Sequence, residues 1–375
     1  MKINLYKILL VNLFFLMGCS LEDNNQPVPE INTQLVLEPG FEISIFSKNL
    51  DSPRQMAEGK NGTIFVGERS GQIIALSDTD NNGQADSKRV IAKNLTLSTG
   101  VSIFEGDIYF SEVSKIWKIE NIENWLKANP LIDKFPEKIL VTDELPEDNW
   151  HGWKWLKHDK QGRLYLNVGA PCNVCLTDNP QYASILRIDD GEWEHVAKGV
   201  RNTAGFAFHP ETQKLFFTDN GRDWLGDDIP SCELNRVDVD GQFFGYPYKH
   251  AKNVMDPEFG DQNPGYDFVD PILELGAHVA PTGVAFYEGS MFPPEMKNNL
   301  FIALHGSWNR SEKVGYKVIR VILDENGDVI KSNDFISGWL KDGKDSGRPS
   351  APFVLRDGSL LLSDDKANLI YRITF

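Results

Sequence analysis

A strand–turn–strand module that recurs six times constrains this chain more than any other feature. Each copy is an apolar strand, a turn carrying Gly or Asn, a second apolar strand, and a third strand ending in a basic or polar residue. The copies span residues 56–76 (MAEGKNGTIFVGERSGQIIAL), 101–119, 156–188, 206–237, 284–322 and 353–373 (FVLRDGSLLLSDDKANLIYRI). They are spaced roughly 45–80 residues apart, as propeller blades with loop insertions are. Within each copy apolar residues alternate with period two, the pattern of half-buried strands. One copy has nothing to bury its apolar face against, whereas a ring of copies does. The expected fold is therefore all-β, a six-bladed β-propeller formed by residues 36–375 as one domain. The strand over residues 41–46 precedes the first copy and has no partner of its own. It is expected to pair with the last blade and close the ring without leaving an open edge. A helical stretch from Ile122 to Ala128 reads as an insertion.

The first residues belong to a different class of segment. Lys2 and Lys7 precede an apolar run from Ile8 to Met17 that is too short for a permanent membrane span and reads as an export signal. It ends in Leu16-Met17-Gly18-Cys19, which resembles a bacterial lipobox. That pattern implies a signal peptide over residues 1–18, cleavage before Cys19, and lipid on the new terminus; ordinary signal-peptidase cleavage is the alternative. Residues 19–35 are polar and proline-bearing, a tether. Ser20, rather than an aspartate, follows the cysteine, which favours an outer-membrane anchor facing the periplasm or the cell surface. The membrane partner is then the lipid on Cys19.

Net charge is −16, from 54 acidic and 38 basic residues. Such a surface repels nucleic acid, which excludes that class of partner. A neutral sugar or alcohol remains compatible. With Cys19 lipidated, Cys172, Cys175 and Cys232 remain, and an oxidising compartment favours one disulfide between the near neighbours and one odd thiol. A single Cys-x-x-Cys is too small a ligand set for zinc. A c-type haem would need histidine after the second cysteine, where Leu176 stands.

The residues with chemical potential lie far apart in sequence, at similar positions in different copies, as a shared axial site requires. His151, among Trp150, Trp153 and Trp155, precedes the third blade. An imidazole there can accept a hydroxyl proton near neutral pH, or simply pack on its tryptophans. Arg201 and Asn202 precede the fourth blade; the guanidinium can clamp an oxyanion or brace a loop. Asp219-Asn220-Gly221-Arg222-Asp223 is an oxygen-rich loop suited to Ca²⁺, or a solvated acidic turn. His305 and Arg310 end a strand of the fifth blade, and Arg348 enters the sixth. Asp78, Asp80, Asn82 and Asp86 partly match a calcium loop, but Arg89 occupies the place of its final glutamate, and an Asx-rich turn is the competing reading.

The motifs WHGW with GRLYLNVG, GVRNTAGFAFHP, DNG with ELNRV and FGYP, HVAPTGVAFY, HGSWNRS and GRPSAPFVLRDGSLLLSDD occur in this order. They resemble the glucose/sorbosone dehydrogenase family, closest to its sorbosone dehydrogenase-like branch, over about residues 36–375. That family consists of six-bladed propellers that bind pyrroloquinoline quinone (PQQ) with Ca²⁺. The resemblance implies a general-base role for His151 and positions beside the cofactor for Arg201 and Asn202. It implies carbonyl ligands to Ca²⁺ at Gly221 and Arg222, and a contact between Arg348 and a cofactor carboxylate. Three positions depart from the glucose-oxidising members: Ala170 replaces an aspartate, Arg222 replaces a proline, and His305-Gly306 stands where a cofactor-binding lysine would be, leaving Arg310 to take over that role.

The implied activity is PQQ-dependent oxidation of an aldose, a sorbosone-like aldehyde sugar or a related alcohol, with electrons passed to a periplasmic acceptor. A non-catalytic, lipid-anchored propeller binding a glycan or a protein is the other reading, since fold does not fix function. A calcium-dependent lactonase would need a cluster of acidic ligands at the channel.

Overall fold

The computed structural model describes residues 34–131, 134–189 and 191–375. The expected signal peptide, Cys19 and most of the expected tether fall in residues 1–33, outside the described residues. Six sheets follow one another along the chain and form the blades of a propeller. Their innermost strands are Pro53–Glu58, Val101–Phe104, Leu156–His158, Phe206–Phe208, Pro281–Phe286 and Pro349–Val354. Each pairs antiparallel with the next strand of its own blade, as the repeat implies.

Period-two alternation explains how the blades adhere. In the first blade Phe65, Ile73 and Ala75 pack into a cluster with Val101, Ile108 and Phe110 of the second. Their neighbours Ile64, Val66, Ile74 and Leu76 point the other way and meet Leu361 and Ile370 of the sixth. The fourth blade repeats this division, with Leu215 and Phe217 facing the third blade and Phe216 the fifth. Both faces of a blade are thus core, each large side chain contributing about 1.5–3 kcal/mol on burial. A charge on either face would be stranded between sheets.

The fourth strand of each blade is not part of the repeat, and in the third and fifth blades a further two-residue strand lies beyond it. Five blades make theirs from Ser87–Ala92, Ile139–Thr142, Glu192–Lys198, Leu273–Ala277 and Val329–Ser337. The first three residues of Ile139–Thr142 are exposed, and Glu192–Lys198 alternates exposed with half-buried residues over its first four positions before Val196 and Ala197 enter the core. These rim strands have little apolar periodicity to read.

The sixth blade closes the ring. Glu42–Ser47 lies antiparallel to Leu369–Thr374, with Ile43 opposite Ile373 and Ile45 opposite Tyr371. Val36–Leu37 continues outward onto the edge of the fifth blade. The helix Ile122–Ala128 forms as expected. It presents Glu123 to the backbone amides of Asn61 and Thr63, capping a turn of the first blade. No helix among the described residues is long and apolar enough to cross a membrane.

Candidate functional site

The connections that enter the inner strands of the third and fourth blades converge with those that leave second strands of the fourth and fifth. Between them is a cavity of about 220 Å³ whose lining includes His151, Arg201, Asn202, Gly221, Asp223 and Trp308. A larger space of about 520 Å³ lies among the far ends of the inner strands, but none of the residues singled out from the sequence lines it. Chemistry therefore favours the smaller cavity.

His151 occupies left-handed backbone, φ 50°, which an imidazole residue adopts only when its surroundings hold it there. Gly169 makes room for it: a Cβ at that position would lie 2.5 Å from the His151 Cβ and 2.8 Å from its carbonyl. The ring donates from Nδ1 to the Ala170 carbonyl at 2.9 Å, which fixes the tautomer and leaves Nε2 as the acceptor. Among the described residues nothing hydrogen-bonds to that Nε2. Burial, and then the nearby Arg201 charge, lower its pKa to about 3, against the Ala170 bond. The imidazole is neutral across the physiological range. Ala170, one of the departures in sequence, orients the histidine through its backbone.

Arg201 is buried and fully gripped. Its Nε donates to the Asn173 carbonyl at 2.8 Å, Nη1 to the Asn220 carbonyl at 3.1 Å, and Nη2 to Asn173 Oδ1 at 2.8 Å and Asp223 Oδ2 at 3.1 Å. Asn173 lies inside the Cys172–Cys175 disulfide, which forms as expected, and Cys232 is a free, buried thiol. Beneath, Asp219 receives the amides of Arg201 at 2.8 Å and Asn202 at 2.6 Å. Asp219 faces Glu233 across the strand pair, and burial raises the pKa of both carboxyls. The side-chain amide of Asn202 makes no hydrogen bond to the described residues and lines the cavity. Three tryptophans stand at or beside the mouth: Trp150 and Trp308 line it, and Trp224 meets Trp308 edge-to-face at 5.6 Å.

Of the remaining sequence candidates, Gly221 shares this cavity, and His305, Arg310 and Arg348 make their contacts outside it. Gly221 lines the cavity, but the Arg222 side chain turns to Asp256, which also holds His250 Nε2 at 2.9 Å. His305 is buried, with Nε2 2.7 Å from Asp365 Oδ1, and the same carboxylate receives Arg54 Nε at 2.7 Å and Arg69 at 3.5 Å. Burial would raise Asp365, yet Arg54 and His305 outweigh it and hold the carboxyl far below its usual range. Arg348 spans the carbonyls of His305 and Gly306. Arg310 donates to the Asp227 carbonyl and to Asp228 at 3.1 Å, beside a neighbouring cleft. The structure thus brings together His151, Arg201, Asn202 and Gly221, and gathers His305 and Arg348 into a second, arginine-rich cluster. The Asp78, Asp80 and Asp86 carboxylates do converge. They are occupied in part by the loop's own donors, including the amides of Asn82 and Gly83 and the Thr79 hydroxyl.

Sequence reasoning missed Asn173 and the Ala170 carbonyl. Position between two bonded cysteines was the one available signal for Asn173; a backbone carbonyl has none.

A six-bladed β-propeller with a cavity lined by polar loops of its third to fifth blades is the class this fold and site define. Residues 183–342 match the family described as TrAA12-like. An uncharacterized protein of Borreliella burgdorferi is 37% identical over 356 residues, covering 92% of each chain. The chain belongs to one family with that protein. A PQQ-dependent pyranose dehydrogenase of Coprinopsis cinerea is 23% identical over 347 residues, covering 78% of this chain and 45% of the relative. This chain therefore spans less than half of that protein. The holo form of the Coprinopsis cinerea pyranose dehydrogenase PQQ domain superposes with a TM-score of 0.75 at 18% identity, over 92% of this chain and 98% of the other. A calcium structure of Trichoderma reesei family AA12 gives 0.75 at 19%, over 91% and 97%. These likenesses establish the fold, which resembles that of PQQ-dependent sugar dehydrogenases and of AA12.

Proposed function

We infer that this propeller is a PQQ-dependent oxidoreductase acting on an aldose, a sorbosone-like aldehyde sugar or a related alcohol. The observation that carries the reading is His151: an imidazole pinned at Nδ1, unpartnered at Nε2, in one cavity with Arg201 and Asn202.

The donor set suits both implied groups. Asn202 and Gly221 offer amide and carbonyl oxygens, hard donors of the kind Ca²⁺ takes, while the Asp223 carboxylate is engaged by Arg201 and Asn309. Arg201 supplies a fixed cation, and Asn202 a free amide, for an anionic quinone. When bound, the calcium–quinone pair supplies an electrophilic hydride acceptor. His151 Nε2 takes the substrate hydroxyl proton. An anion beside Arg201 offsets that arginine's charge, the smaller of the two effects that hold the imidazole down, and so raises its basicity. Arg201, already oriented by Asn173 and Asp223, stabilises negative charge without reorganising. The tryptophans at the mouth give apolar faces for a sugar ring and help to exclude water.

The lipobox pattern completes the proposal: a signal peptide over residues 1–18, a lipid on Cys19, and an outer-membrane location with a periplasmic electron acceptor. Loss of palmitate labelling in Cys19→Ser tests the anchor. For the activity, calorimetric titration with PQQ and Ca²⁺ should show saturable binding, and the loaded protein should reduce a dye when aldoses are added. His151→Ala should retain cofactor binding and lose about 10²–10⁴-fold in turnover. Absence of PQQ binding by the folded protein overturns the reading.

A further inference from the structure

All six blades contribute to a second, smaller cavity on the propeller axis. It measures about 20 Å³, and its lining includes Arg54, Thr99, Lys154, Ala204, Thr282 and Ser350. That is room for one particle of roughly water's size. Its polar walls divide into spent and unspent groups. Thr99 Oγ1 donates to the Lys154 carbonyl at 3.2 Å, and Thr282 Oγ1 to the Ser350 carbonyl at 2.7 Å. Gln55, which also lines it, is committed to Leu156 and Val101. Lys154 is 3% exposed, and its Nζ donates to one acceptor, the Gly152 carbonyl at 2.9 Å, although an ammonium carries three donors. The Ser350 hydroxyl is buried without a partner. No carboxylate pairs with Lys154 among the described residues. Arg54 adds positive charge, and its partner Asp365 is already shared with Arg69 and His305.

We propose that this cavity binds a single small anion, chloride under physiological conditions, held by the Lys154 ammonium and the Ser350 hydroxyl. The walls present a surplus of donors and a surplus of positive charge, which an anion satisfies together. A water molecule could accept from the ammonium, and the threonine and serine oxygens could receive its hydrogens, but it would leave the Lys154 charge unbalanced, which an anion does not. A buried ammonium with no countercharge is costly. Burial draws Lys154 down to about 7, and a bound anion reverses that by favouring the charged form. Because the same ammonium holds the Gly152 carbonyl, occupancy also steadies the peptide that follows His151.

Crystals soaked in sodium bromide provide the direct test: an anomalous peak is expected in the axial cavity, within about 3.5 Å of Lys154 Nζ. In solution, the unfolding midpoint should be at least about 2 °C higher in sodium chloride than in sodium gluconate at equal ionic strength, since gluconate is too large to enter. Lys154→Met should abolish the difference. Should that variant fail to fold, Ser350→Ala, which removes the second donor with little change in volume, should reduce it. Density in the cavity without anomalous signal, bromide at other sites alone, or equal midpoints in the two salts for the native protein would each overturn the proposal. None of these readouts depends on PQQ or on turnover.

Discussion

Asn173 grips Arg201 twice, accepting from Nε through its carbonyl and from Nη2 through its side-chain oxygen, both at 2.8 Å. That side-chain oxygen also receives the Asp223 amide at 2.8 Å, so one residue ties the guanidinium to the loop carrying Gly221. Asn173→Ala removes a hydrogen bond to a charged group, worth about 1.5–3 kcal/mol. PQQ affinity should fall about tenfold or more by calorimetry, while the carbonyl contact survives. Unchanged affinity would mean that the cavity does not need a fixed Arg201.

His151 makes stability depend on pH in a defined direction. Its imidazole protonates near 6.5 when unfolded but only near about 3 when folded. Between those values the unfolded state holds about one more proton, so stability falls as pH falls through the window; above 6.5 the effect vanishes. In His151→Gln the slope of unfolding free energy against pH should be shallower by about one proton between pH 6 and 4. Urea titrations at several pH values measure this. Parallel curves would place the ring in contact with bulk water.

Among the described residues Asp365 is the single acceptor for Arg54, Arg69 and His305, and it is nearly inaccessible. Asp365→Asn leaves the buried Arg54 guanidinium without a countercharge, a change that typically destabilises by about 3–5 kcal/mol. Denaturant midpoints should fall accordingly, and raising salt should recover little, since a buried charge is poorly screened. A loss under about 1 kcal/mol would show the cluster to be hydrated.

Trp308, 66% exposed, lines the His151 cavity and meets Trp224 edge-to-face. Trp308→Ala should raise KM for an aldose about tenfold with kcat little changed, the signature of lost ground-state stacking. A drop in kcat alone would assign the indole to the reacting geometry.

Much of the architecture was legible because it rests on alternation. The alternation implied half-buried strands, but Ile64 and Phe65, or Phe216 and Phe217, are both buried and fill separate inter-blade clusters, because each blade is covered on both faces by its neighbours. The strand that closes the ring was legible as an apolar segment lacking a local partner. Rim strands such as Ile139–Thr142 were not, since solvent imposes no pattern on them. At the site, His151, Arg201, Asn202 and Gly221 converge as their motifs implied. His305, Arg310 and the Arg222 side chain have cation or donor chemistry that reads the same whether it faces a cavity or a carboxylate. Asp365, Asp228 and Asp256, distant in sequence, decide which.

Glu42–Ser47 against Leu369–Thr374 joins the two ends of the propeller across more than three hundred residues, with Ser44 reaching the Arg372 carbonyl at a separation of 328. A ribosome delivers those partners at opposite moments of synthesis. Until residues 369–374 emerge, the sixth blade lacks a side and the circle stays open, so assembly of the whole toroid waits on that strand. Deleting those six residues would therefore harm the molecule more than trimming the same number from a surface loop.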